Sequence, residues 1–139
     1  MKRIFASFML IVMVFSCSVS ALAVEPPRAS LTLSRYFAEC LTGDSKGEII
    51  VSYDVKASKF ASSVGIESIV FYTRSGDKIS TVSGSVQNGL IKTNNDDHMG
   101  DFVYELPSGE YYYAEVTVFA QVGSDYDSRT VTTSNVWVR

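Results

Sequence analysis

One histidine, one cysteine beyond the first thirty residues, a run of carboxylates and a row of aromatics are the side chains here that could do chemistry. His98 is the only histidine, which excludes zinc sites built from several imidazoles. A Ser-His-Asp triad would have to use it, and no G-x-S-x-G nucleophile elbow accompanies it. The plainer reading of His98 is a loop side chain in solvent. Cys40 alternates with Tyr36 and Ala38, which points it inward as a small apolar group, with a free thiol that pairs between chains as the alternative. Asp96, Asp97 and Asp101, with Asn94 and Asn95, form an oxygen-rich stretch. Calcium takes six to eight such oxygens, but the spacing is not that of an EF-hand loop, and Asn and Asp also serve turns by bonding their own backbone. Asp125 and Asp127 could add ligands only if two turns met. No cofactor is implied.

The aromatic row is the richer feature. From Tyr112 onward every second residue is apolar: Tyr112, Ala114, Val116, Val118 and Ala120. That alternation describes a β-strand with one face in a core. With Tyr112 turned in, Tyr111, Tyr113 and Phe119 turn out, Tyr72 belongs on a neighbouring strand and Tyr126 in a loop. A tyrosine offers a flat apolar body with a polar tip, suited to stacking on a sugar or anchoring a protein partner. The competing role is cross-strand packing that shields the sheet. Arg129, after Asp127 and Ser128, and Arg28 near the start read as surface pairs of small energetic worth.

The elements that must position these groups are short strands. The chain has 139 residues, 46% of them hydrophobic and 19% charged, enough for the core of one domain. Residues 1–23 carry a positive start at Lys2 and Arg3, an apolar run and an Ala21-Leu22-Ala23 site, the three parts of a secretory signal peptide. The run is too short for a transmembrane helix. The domain is then 24–139, with no further span. A lipobox-like Val14-Phe15-Ser16-Cys17 offers lipidation at Cys17 as the alternative. Losing Lys2 and Arg3 takes the formal net charge from −3 to −5. That balance disfavours nucleic acid and anionic lipid.

Pro26 and Pro27 keep the start extended. Strands are predicted over residues 31–41, with a break near Ser34 and Arg35, and over 48–55, 67–74, 78–86, 102–106, 112–120 and 129–138. Turns are expected at 42–47, 75–78, 87–89 and 123–128. Polar loops are expected at 56–65, with Phe60 and Val64 as plugs, and at 94–100. About seven strands without a helix predict an all-β fold, an antiparallel immunoglobulin-like β-sandwich.

Leu106, Gly109 and Tyr112 have the spacing of the Leu-x-Pro-Gly-x-x-Tyr corner, with Pro107 one place early. On these residues the chain resembles fibronectin type III and related immunoglobulin-like domains. The resemblance implies that the Tyr112 hydroxyl bonds nearby backbone. Those domains carry a Trp on the second strand; here Tyr53 is the nearest counterpart, and the only Trp, Trp137, is in the last strand. The chain also resembles a family of small secreted proteins of Gram-positive bacteria with no assigned function, through Pro27-Arg-Ala-Ser30, Gly109-Glu-Tyr-Tyr-Tyr-Ala114 and Asp127-Ser-Arg-Thr130. That resemblance implies secretion and a sandwich fold, and supplies no activity. The expected function is a secreted or cell-surface binding or adhesion module, without enzymatic activity, for an extracellular protein or glycan. A self-associating structural subunit is the alternative, and a His98-dependent hydrolase a third.

Overall fold

A computed structural model describes residues 32–139. The expected signal peptide, Cys17, Arg28 and the extended lead lie outside the described residues. The described residues are all-β and contain no helix. Seven strands follow one another: β1 (Leu33–Thr42), β2 (Glu48–Thr73), β3 (Lys78–Ser83), β4 (Ile91–Glu105), β5 (Glu110–Val122), β6 (Asp125–Thr132) and β7 (Val136–Val138).

All pairings are antiparallel and belong to one sheet that curls over itself. The first layer is β1, residues 48–56 of β2 and residues 97–105 of β4. The second is β3, residues 63–73 of β2, β5, β6 and β7. β2 passes from one layer to the other. Its pairing with β4 breaks between Lys56 and Ala61, where the strand changes layer. Bulges of this kind bend a strand and re-aim its side chains.

The alternation seen in the sequence becomes the seam between layers. Ile49, Val51, Tyr53 and Val55 of the first layer, and Ile69, Phe71, Tyr112, Ala114, Val116, Val118 and Ala120 of the second, are all buried. Each valine, isoleucine or phenylalanine among them contributes roughly 1.5–3 kcal/mol on burial. Phe71 stacks on Tyr104 across the seam at 4.9 Å, and the Tyr104 and Ser80 hydroxyls meet at 2.6 Å. At one end Thr42 Oγ1 donates to Trp137 O at 2.9 Å and Arg139 donates to Gly43 O at 2.6 Å. The layers are thus held by packing in the middle and by hydrogen bonds at the rim.

Three sequence expectations are corrected. Residues 56–65 are not a polar loop but the middle of β2, a strand of 26 residues. Val64 is buried as expected, whereas Phe60 is 70% exposed and plugs nothing. The polar segment 94–100 is strand as well, inside β4, because its backbone finds ladder partners on β2. Asn94 has φ of +51°, and Asn95 Oδ1 accepts from Asp97 N–H at 3.1 Å, the turn-like features that remain. The final strand is two, β6 and β7, and β6 begins within the expected turn. The break expected near Ser34 and Arg35 is present as a bulge between Leu33 and Arg35.

Candidate functional site: an aromatic strip on the second layer

β5 carries the strip, and a sharp corner aims it. Gly109 has φ of +91°, a conformation that disfavours any side chain, and reverses the chain between Leu106 and β5. Leu106 is buried beneath the turn. The Tyr112 hydroxyl donates to Pro107 O at 2.9 Å. With Tyr112 pinned in the core, strand alternation sends Tyr111 and Tyr113 to the outer face.

Their neighbours are set by register. Tyr113 pairs with Tyr72 on β2, and Tyr111 with Trp137 on β7. The Tyr72 and Tyr113 rings stack at 5.2 Å with planes 14° apart. Tyr111 and Trp137 meet edge to face at 5.0 Å. The Arg74 guanidinium lies 5.7 Å from the centre of the Tyr111 ring, within cation–π range. The Tyr72 hydroxyl donates to Glu115 at 3.1 Å. Burial first, and then that bond to a carboxylate, hold the Tyr72 phenol above its ordinary value. Tyr111 is 41% and Trp137 42% exposed. Four rings with a cation at one end and a carboxylate at the other thus lie across three adjacent strands.

Trp137 and Arg74 were not read as site residues. If residues 129–138 were one unbroken strand, Trp137 would share the inward row of Val131. The break between β6 and β7 changes that. Val116 pairs with Val131 but Tyr112 with Val136, so β6 and β7 together use one residue more than β5 does. A one-residue slip exchanges the two faces. Thr133 stabilises the slip: its N–H donates to Ala114 O and its hydroxyl accepts from Ala114 N–H, both at 2.9 Å.

Phe119 does not join the strip. It has the outward parity expected of it, yet only 6% of it is exposed. Its partner across the ladder is Gly65, and the place of the missing side chain there is taken by the backbone of Leu90 and Ile91 and by His98. Tyr126 covers the ring from the other side, stacked at 5.8 Å. Tyr126 lies on β6 rather than in a loop and is 52% exposed. Burial, and next a hydrogen bond to Glu67, raise its phenol.

The comparisons with known proteins assign no family. No protein-family model matches the chain, and no curated protein is similar to it. Among solved structures, a β-glucuronidase of Parabacteroides merdae, described with glycerol in its active site, is similar over 72% of this chain at 12% identity with a TM-score of 0.38. The matched part spans 13% of that enzyme.

The remaining sequence candidates fall elsewhere. His98 is not a solvent loop residue. It is half-buried on β4, its Nε2 2.7 Å from Gly89 O and 3.1 Å from the Tyr53 hydroxyl, which itself donates to Gly89 O at 3.2 Å. Burial, and then nearby Asp101, raise the Tyr53 phenol. The histidine therefore ties β4 to β2 and to the turn before β4. Cys40 is buried, receives a hydrogen bond from Thr133 Oγ1 at 3.2 Å, and is pushed upward in pKa chiefly by that burial. A thiol so placed is closed to inter-chain pairing.

The three aspartates do not converge. Asp97 and Asp101 share a strand face at a spacing of roughly 13 Å, and Asp96 has the opposite parity and lies 3.8 Å from Lys56. Among the described residues no group of three His, Cys, Asp or Glu side chains is placed to hold a metal. Asp127 pairs with Arg129 at 2.7 Å, two residues along β6, as the sequence suggested for that arginine.

Proposed function

We propose that the chain is a secreted or cell-surface binding module of immunoglobulin-like, fibronectin type III-like build. It recognises an extracellular glycan or protein through Tyr72, Tyr111, Tyr113 and Trp137. One observation carries this reading: four aromatic side chains gathered on one sheet face, ordered by stacking and edge contacts, with two of the rings over two-fifths exposed. Rings already fixed lose little freedom when a flat ligand settles on them.

The build is supported by the Tyr112 corner, whose hydroxyl reaches the backbone five residues upstream. It is supported also by the grouping of strands, β1–β2–β4 in one layer and β3–β2–β5–β6 in the other. Secretion rests on the features of residues 1–23. A non-catalytic role is supported by His98, whose Nε2 is held by a carbonyl and a phenol rather than by a serine or cysteine.

The test is a glycan and extracellular-protein array probed with the purified protein and with the Tyr111→Ser/Tyr113→Ser variant. The variant is expected to keep its far-ultraviolet dichroism and lose the array signal. A folded variant that still binds would refute the reading.

A further inference from the structure

The outer face of the first layer is built differently from the strip and fits a different partner. Leu41, Ile50 and Val103 stand in one row across β1, β2 and β4. Phe37, Asp54 and Met99 stand in another, four residues along, roughly 13 Å away at the strand rise. Phe37, Leu41, Met99 and Val103 are between 44% and 60% exposed. An apolar group of this size rimmed by charge is the usual signature of an interaction surface. Between the rows lies a third, Glu39, Ser52 and Asp101. Ser52 is small, so the face dips there into a concavity of about 320 Å³ walled by Phe37, Met99 and Asp101.

The charges on this face have one sign in excess. Glu39, Glu48, Asp54, Asp97, Asp101 and Glu105 share it with Arg35 and Lys56 only. Both cations are already engaged, Arg35 with Asp54 at 2.9 Å and Lys56 with Asp96 at 3.8 Å. No cation among the described residues pairs with Glu39, Asp101 or Glu105. Glu48 and Glu105 stand directly opposite each other, an arrangement that costs stability in a sheet. A second copy of the chain docked face to face would set acid against acid, and an anionic lipid surface would be repelled.

From this arrangement we infer that the first layer docks a cationic, amphipathic segment of another protein in extended form. Apolar residues at positions i and i+4 fill the two apolar rows, and a lysine or arginine at i+2 meets Glu39 and Asp101. In a strand-like segment, i, i+2 and i+4 point to the same side, and i to i+4 spans about the distance between the rows. The face is thus complementary to the segment in both spacing and sign.

A synthetic peptide repeating Leu-Ser-Lys-Ser has this pattern, and one repeating Leu-Ser-Glu-Ser reverses the charge. Each is titrated into the purified protein by calorimetry, with backbone amide NMR to locate the contact. The lysine peptide is expected to bind, to perturb amides of β1, β2 up to residue 56 and β4 from residue 97, and to weaken with added salt. Phe37→Ser/Met99→Ser and Asp101→Asn/Glu105→Gln should each raise its Kd by about tenfold or more. Tyr111→Ser/Trp137→Ser should leave it unchanged, which separates this surface from the strip. Equal affinity for all variants would overturn the inference, as would equal binding of the glutamate peptide, or perturbations centred on β5 and β7. A dimer in sedimentation that is lost in Phe37→Ser would overturn it too, by naming a second copy as the occupant.

Discussion

The two outer faces of this sandwich expose similar amounts of large apolar side chain and treat it in opposite ways. On the second layer the rings are paired with one another: Tyr72 with Tyr113, Tyr111 with Trp137, Phe119 with Tyr126. On the first layer Phe37, Leu41, Met99 and Val103 stand between carboxylates and make no ring contact. The first arrangement is rigid and presents a surface of fixed shape. The second is open, its Met99 adaptable in conformation, and its affinity would come from a partner that supplies the missing cations. Sequence parity alone does not distinguish the two faces, since both read as outward positions of alternating strands. Cross-strand register decides which outward residues find partners.

The comparison can be broken by substitution. The largest effect is expected at Phe119, which has outward parity but belongs energetically to the core. Phe119→Ala should cost about 3 kcal/mol in urea unfolding, because truncating a buried ring leaves a cavity beneath Tyr126. Loss of less than about 1 kcal/mol would return Phe119 to the surface.

Next comes the strip itself. Tyr72→Ala removes a stacked partner and the donor to Glu115, and should cost about 1 kcal/mol. Tyr112→Phe should cost a similar amount through the lost bond to Pro107 O, with no change in the array signal. The opposite face should hardly respond: Phe37→Ser is expected within about 0.5 kcal/mol of the parent protein.

A pH series sharpens the same contrast. The Tyr72 and Tyr126 phenols are raised, as are the core phenols of Tyr53 and Tyr112 and the Cys40 thiol. In each case the folded state favours the protonated form. The unfolded chain therefore releases those protons first as pH rises. The associated stability is present below the ordinary values, about 8.5 for a thiol and 10 for a phenol, and is lost as pH climbs through the raised ones. Thermal melts should hold steady near neutrality and fall above about pH 9. Tyr72→Phe should flatten part of that fall, while Phe37→Ser on the opposite outer face should leave it intact.

How much of this was legible in the sequence depends on the range of the signal. Alternation from Tyr112 to Ala120 is local, and it located the seam, since that whole row is buried. The Leu106, Gly109 and Tyr112 spacing is also local, and its hydrogen bond is present. Residues 56–65 and 94–100 misled because their composition is that of loops. They are strands because each finds ladder partners far away in sequence, which outweighs local preference. Phe119 was missed because its ring is covered by Tyr126, whose place on β6 reads as a loop in the sequence. Trp137 was lost to a single inserted residue between β6 and β7, which no alternation count over 129–138 can reveal.

Trp137 also supplies the most direct measurement, being the only tryptophan in the chain and part of the strip. Its fluorescence should be followed while the array-selected ligand is titrated into the purified protein. Recognition by the strip requires a saturable shift or quench of that emission, with a midpoint equal to the Kd found by calorimetry. Full binding by calorimetry with an unaltered Trp137 spectrum would contradict the account.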